Sequence, residues 1–290
     1  MLEQDAVAGG IMLSLIERSI EGLGDQMILL APPQATVPAA FSNVDVNPAR
    51  HQHLLREMQR LRGSIYLEEG NVKAHQLTAD GRHETPEDDR SWHLLMMDPG
   101  GIVRSCALYL DHDMSAAMKT MRVQNCPLAS DRTWKTTLKG AVESEIARAR
   151  QDGLKFAELG GWAIKKERRG TPEGLLMAVG TYGLSRVLGG ALGITTANVA
   201  HSCSSILRRL GGSLLEFEGT TIPAYFDPKY NTYIELLRFD SRTPGTKYAR
   251  LIDYAKHTFT SGVSIIAQRA DALASRPLQP LAPVRAVAAA

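Results

Sequence analysis

The stretch FAELGGWAIKKERRGTPEG, residues 156–174, decides how the rest of the chain is read. Residues 156–164 form an apolar run of strand length, interrupted by one acid and two adjacent glycines. Strict alternation places Glu158, Gly160, Trp162 and Ile164 on one face, and Ala157, Leu159, Gly161 and Ala163 on the other. A carboxylate in such a run is costly unless it is paired or faces a cleft. A paired glycine weakens a strand and marks a bulge, or a place where another group approaches the backbone. The run ends in a basic turn, and Pro172 suits the first turn of a helix expected over 172–190. A helix N-terminus presents unpaired N–H groups, so RRGTPEG (168–174) has the content of a phosphate-holding turn: two cations, with Gly170 and Gly174 allowing close backbone approach. A solvated connection explains the same residues, and neither a P-loop signature nor GxGxxG is present.

Upstream, WHLLMMD and IVRSCALYL are two strands joined by PGG at 99–101, a hairpin signal, and a long helix follows over 130–153. Downstream come a strand at 193–199, a short helix at 201–212, strands at 213–219 and 233–239, and a late helix over 247–273. Nearer the start, an amphipathic helix is expected over 8–24, a short strand at 26–31 and a clear helix over 48–63, with a polar loop from 68 to 91. Alternation in the middle with antiparallel pairing at both ends implies a mixed sheet covered by helices.

The chain has 290 residues, 44% hydrophobic and 22% charged, as expected for a globular protein with a real core. A formal net charge of +2 argues against dedicated nucleic-acid binding. Cys106, Cys126 and Cys203 are widely spaced with no CxxC pair, so neither a disulfide framework nor a metal site is expected. Glu3 and Asp5 do not suit the basic start of a secretory signal, and no apolar run approaches the ~18 residues of a membrane span. The expectation is a cytoplasmic protein without a transmembrane segment.

The run from about 92 to 219 resembles the GNAT superfamily of acyltransferases. The carrying residues are Arg169, Gly170 and Gly174 in RRGTPEGLLMAV, set against that family's Q/R-x-x-G-x-G/A turn, and Leu210-Gly211 at the end of the next short helix. Pro172 stands where the middle glycine of the motif is expected and removes one N–H. The resemblance implies an α/β fold: a mixed, mostly antiparallel twisted sheet flanked by helices, in which a bulged strand splays from its neighbour. It also implies a thioester arm in the gap and the donor's pyrophosphate on the turn. The extra length is similar to the larger N-acyl amino acid synthases and, more distantly, the acyl-homoserine lactone synthases. The latter carry a Glu-x-x-Arg pair on this strand, whereas Gly161 and Trp162 stand where the basic residue would be.

On that basis residues 1–91 are expected to be an N-terminal elaboration of one fold, 92–240 its acyltransferase core, 241–274 a C-terminal helix and 275–290 a loose tail. The implied activity moves an acyl group, fatty in this branch, from a coenzyme A or acyl-carrier-protein thioester to a small primary amine, with no separate cofactor. The alternatives are a homoserine-lactone-type signal producer and a binder of acyl thioesters without turnover. Glu158 is the candidate base, and the N–H groups around Trp162, Ala163 and Ile164 are candidates to hold the thioester carbonyl. Arg168, Arg169, Gly170, Thr171 and Gly174 are the candidate donor-phosphate site. His201 and Ser202 are candidates to protonate the leaving thiolate, although the start of a helix explains them equally. Cys203, at a helix start, is expected to have a lowered pKa without acting as a nucleophile. Tyr225, Phe226, Tyr230 and Tyr233 are candidate walls of an acyl pocket, or packing residues.

Overall fold

A computed structural model of the protein describes residues 27–199 and 203–269. The helix expected over 8–24, the pair His201 and Ser202, and the tail at 275–290 lie outside the described residues.

Twelve strands and five α-helices follow one another in these residues. The first part comprises β1 (Met27–Leu30), β2 (Val44–Val46), α1 (Pro48–Glu68), β3 (Trp92–Met97), β4 (Val103–His112) and α2 (Lys135–Gln151). The central part is β5 (Lys155–Ile164), α3 (Glu173–Val187), β6 (Ala191–Asn198) and α4 (Cys203–Arg209). The last part is β7 (Ser213–Leu214), β8 (Glu216–Phe217), β9 (Thr220–Thr221), β10 (Tyr225–Asp227), β11 (Thr232–Asp240), α5 (Ala249–Ser261) and β12 (Ser264–Ala267). One sheet runs in the order β10-β11-β6-β5-β4-β3-β1-β12-β2, with β7 added on β11, while β8 and β9 form a separate hairpin. Its pairs are antiparallel except β5 with β6, β1 with β12 and β12 with β2. This is the mixed, mostly antiparallel, GNAT-like sheet expected.

The local signals act as expected at several ends. Asn47 accepts from the Arg50 amide to open α1, and the Asp131 carboxylate accepts from the amides of Thr133 and Trp134 just ahead of α2. The 99–101 turn closes the β3–β4 hairpin through the Asp98 amide on the Ile102 carbonyl. One expectation fails at the C-terminal end. The helix expected over 247–273 stops at Ser261, and Ser264–Ala267 instead forms β12, inserted between β1 and β2. Gly262 ends the helix, Val263 is fully buried in the bend that follows, and the β-branched Ile265 and Ile266 are fully buried as sheet residues. β1 and β2 therefore share a sheet with the last strand, β12.

Two helical layers cover the sheet. α3, α4 and α5 pack on one face, where Ala178, Leu184, Ile252 and Phe259 meet Tyr109, Ala157, Leu159 and Leu237. On the other face α2 places Leu138, Val142 and Ile146 against Phe156, Ile194 and Leu236. Beside it, α1 places Leu54, Met58 and Leu61 against Leu95, Cys106 and Ala163.

The bulge decides the site. In the β4–β5 ladder Leu108 pairs with Gly160 but Cys106 with Ala163, so β5 carries one extra residue at Gly161-Trp162. Gly161 has φ +62°, and a Cβ there would lie 3.0 Å from Leu108 Cβ. The extra residue inverts the alternation read from sequence: Ala163 joins the face of Phe156 and Glu158, while Trp162 packs with Ala157 and Leu159. Bulge carbonyls removed from the ladder are satisfied by side chains, Gly161 O by the Cys106 thiol (3.4 Å) and Trp162 O by the Tyr66 hydroxyl (3.1 Å). Because glycine alone meets both the left-handed backbone and the contact, Gly161→Ala is expected to cost roughly 1–3 kcal/mol, read as a fall in the urea unfolding midpoint.

Candidate functional site

Parallel pairing of β5 with β6 ends at Leu159 and Thr195, where the Thr195 hydroxyl also donates to the Leu159 carbonyl at 3.2 Å. Beyond that rung β5 stays with β4 and β6 stays with β11, so the two strands diverge. The edge of β5 turned from β4 has no strand partner there, and the Ile164 carbonyl accepts from Arg169 Nε instead (3.2 Å). A cavity of about 640 Å³ occupies the gap, within the size range of small-molecule sites. It is walled by α3 and α4 residues on one side (Gly174, Cys203, Ile206) and by α1 residues on the other (Arg62, Ile65, Tyr66), so it passes through the sheet.

Every residue expected to touch the donor lines this cavity: Trp162, Ala163, Ile164, Arg168, Arg169, Gly170, Thr171 and Gly174. α3 begins at Glu173, whose amide donates to the Thr171 hydroxyl (3.3 Å), and the next amides, of cavity-lining Gly174 and of Leu175, lack intrahelical acceptors. The two arginines already hold carboxylates. Arg168 Nε lies 2.8 Å from Glu173, a fully buried acid that Arg104 also approaches at 3.1 Å, and Arg169 pairs with Glu69 at the end of α1. These pairs fix the turn in place. Arg209, at the end of α4, is exposed, lines the cavity and has no ion pair among the described residues.

Glu158 has a different position. It is 4% exposed and does not line the cavity. Its carboxylate accepts from the amides of Arg122 (2.8 Å) and Val123 (3.1 Å) and lies 3.0 Å from His112 Nε2. It thereby holds the start of the 3-10 turn Arg122–Asn125 against the sheet. Cys203 departs from expectation: burial pushes its thiol up to about 12, outweighing the helix terminus. Of the four aromatic candidates only Tyr230 lines the cavity; Tyr225 is buried among the α2-side residues, and Phe226 and Tyr233 pack edge to face on the surface.

Four residues that the sequence did not single out shape the α1 side of the cavity. Arg62 is buried and forms a two-pronged pair with buried Asp88 (3.0 and 2.6 Å). Tyr66, His83 and Tyr230 gather into an aromatic group, with the Tyr66 and His83 rings 5.3 Å apart. His83 is 4% exposed and its Nδ1 has no partner. Burial, reinforced by the positive charges of Arg62, Lys229 and Arg122, pushes His83 down to about 4, so its ring is neutral near pH 7. Arg122 completes the group. His83 and Arg122 lie in segments with no periodicity, so no sequence signal marked them. Among the described residues no group of three or more His, Cys, Asp or Glu side chains is placed to hold a metal, and no helix is long and apolar enough to cross a membrane.

Comparison with known proteins gives the fold. No family model matches the sequence, and no curated protein sequence matches it. Among solved structures, a CoA-dependent acyl-homoserine lactone synthase, BjaI, determined with SAM and isopentyl-CoA, is similar at TM-score 0.52 and 15% identity, over 85% of this chain and 96% of that one. The same synthase with MTA gives TM-score 0.51 at 16% identity. FeeM, an N-acyl amino acid synthase from uncultured soil microbes, matches 67% of this chain and 87% of its own at TM-score 0.43 and 12% identity. The likeness to BjaI shows that the chain shares that synthase's fold.

The Arg62–Asp88 pair sets an acid limit on stability. Burial pushes the Asp88 carboxyl up, but the charge and hydrogen bonds of Arg62 outweigh it and hold the group at about 2. The folded value lies below the ordinary one near ~4, so this stabilisation is complete above about pH 4 and is lost as pH falls toward 2. Asp88→Asn is expected to flatten unfolding free energy against pH in that window. It is also expected to lower stability at pH 7 by about 3–5 kcal/mol, because Arg62 is left buried and unpaired.

Proposed function

We propose that the protein is an N-acyltransferase, moving an acyl group, fatty in the favoured reading, from a coenzyme A or acyl-carrier-protein thioester to a primary amine such as an amino acid. The observation that carries this reading is the through-sheet cavity at the β5–β6 split. It joins the open amides of α3 on one face to the Arg122–His83 group on the other. A donor whose phosphates rest on the α3 turn and on Arg209 runs its thioester arm along the edge of β5 that has no strand partner beyond Leu159. The amine enters from the α1 side, and the two reactants meet in a dry gap without sharing an entrance.

Attack requires an uncharged amine, and the positive potential around His83 favours that form. Nitrogen then attacks the thioester carbon, the carbonyl oxygen gains charge, and N–H groups on the edge of β5 without a strand partner stabilise it. Collapse forms the amide and releases thiolate, while neutral His83, with its open ring nitrogen, accepts the proton lost by nitrogen. Glu158 acts on this reaction through the turn it holds. The alternative that makes a homoserine lactone keeps the same first step. A binder without turnover remains the contrasting outcome.

Titrating the protein with acyl-coenzyme A of increasing chain length, and with acyl carrier proteins, is expected to raise the melting temperature progressively. Mass spectrometry of the same mixtures with amines is expected to show N-acylated product. Absence of any shift well above micromolar donor refutes the reading, and a shift without product under any amine selects the binder. Within the enzyme, His83→Ala is expected to lower kcat by about 100-fold or more with donor affinity retained. Arg209→Glu is expected to weaken coenzyme A binding roughly ten-fold and make it less salt-dependent.

A further inference from the structure

We propose that Arg122 is the receptor for a carboxylate on the acceptor, so that the amine acylated belongs to an amino acid or a similar amino carboxylate rather than to a plain amine. The proposal rests on the acyl-transfer reading and names the acceptor class for that same cavity.

Among the arginines that line the cavity, only exposed Arg209 and half-buried Arg122 lack an ion pair among the described residues. Arg62, Arg168, Arg169 and Arg208 each have a carboxylate partner. Arg122 is half-buried, lines the cavity, and has no ion pair or side-chain hydrogen bond among the described residues. A partly desolvated guanidinium without a counter-ion is expensive, and a ligand carboxylate is the anion that fits its planar fork. Only one acid, Glu69, lines the cavity among the described residues, and it is paired with Arg169, so an acceptor carrying extra positive charge finds no partner there.

The guanidinium is also seated. A Cβ at position 160 would lie 2.7 Å from Arg122 Nη1, although the backbone of Gly160 lies outside the left-handed region that would itself call for glycine. Gly160 is thus explained by the arginine lying across it, and Gly161 by the bulge. The backbone of Arg122 is fixed by Glu158, so both ends of the side chain have a defined place. Buried His83, with an unpartnered ring nitrogen, lines the same side of the cavity as a second polar group without a protein partner.

The donor's phosphates do not supply this anion. Ile164 abuts Gly174 at the start of α3, and Gly160 precedes Ile164 by four residues, roughly 13 Å of extended strand. Arg122 also lies on the opposite face of the sheet, with Glu158 and the α1 and α2 layer.

The test uses the full chain as wild type, Arg122→Gln and Gly160→Ala. Each is given single proteinogenic L-amino acids or their decarboxylated amines, with and without a long-chain acyl-coenzyme A. Amide formation and thermal stabilisation are both read. The wild type is expected to favour amino acids over the matching amines. Arg122→Gln is expected to reduce that preference by roughly 10- to 100-fold, chiefly through KM for the amino acid, and to abolish stabilisation by amino acids. Gly160→Ala, which displaces the guanidinium while keeping its charge, is expected to shift the preference in the same direction. The unfolding midpoint of Arg122→Gln should stay at the wild-type value, since no ion pair is lost. An unchanged preference in Arg122→Gln, or equal use of amines by the wild type, overturns the proposal while leaving acyl transfer standing. Stabilisation by amino acids that Arg122→Gln abolishes, without product from any donor, keeps the assignment and removes the transfer reading. Absence of both stabilisation and product overturns the assignment.

Discussion

One extra residue in β5 creates the cavity. At Gly161-Trp162 the strand gains a residue relative to β4, which bends it and turns its later residues to the opposite faces. β5 keeps its antiparallel partner β4 and β6 keeps β11, while the two edges that face each other diverge beyond Leu159 and Thr195. Unpaired strand edges inside a protein are costly, so such a gap persists only if its polar groups are satisfied by side chains or ligands. Here Tyr66 and Cys106 satisfy the bulge carbonyls, and Arg169 takes the carbonyl of Ile164. The remaining free edge is what a thioester arm would use.

The charges around the gap fall into two groups. On the α3 side, Arg168 and Arg169 serve the fold, tying the turn to Glu173 and to the end of α1. On the α1 side, the buried Arg62–Asp88 pair anchors the segment that carries His83, whose carbonyl also accepts from Arg62 Nε at 3.2 Å. The pair costs desolvation, and that cost is offset by shape: a segment without regular structure is held rigid beside the cavity. Glu158 does the same for the 122–125 turn. Three ionic arrangements therefore position groups around a cavity that contains almost no free acid.

What the residues 156–174 reveal on their own is substantial. Strand, paired glycine, basic turn and apolar helix follow from hydrophobic period, glycine placement and proline at the helix start, all of which are local properties. Those signals picked out eight residues that line the cavity, and the order of strands and helices between 92 and 209 is legible for the same reason, whereas the single strand expected over 213–219 is split into two short ones. Alternation failed at the bulge, because one inserted residue reverses every later side chain and nothing local states which glycine carries it. The late helix was overextended because an apolar β-branched run reads alike in either state until a place in a sheet is open to it.

The α1 side of the cavity belongs to tertiary structure alone. Arg122, His83, Tyr66 and Tyr230 come from a 3-10 turn, an irregular loop, a helix and the approach to a strand, and no spacing in the chain relates them. The sequence assigned Glu158 a task because a lone acid in a strand is conspicuous. Only the fold shows that its partners are two backbone amides and a histidine distant in the chain. Local sequence determined the α3 side of the cavity because strand, turn and helix are contiguous and their dihedral preferences are short-range. Burial, ion pairing and the meeting of distant segments decided the rest, since those energies depend on neighbours that exist only once the sheet has closed.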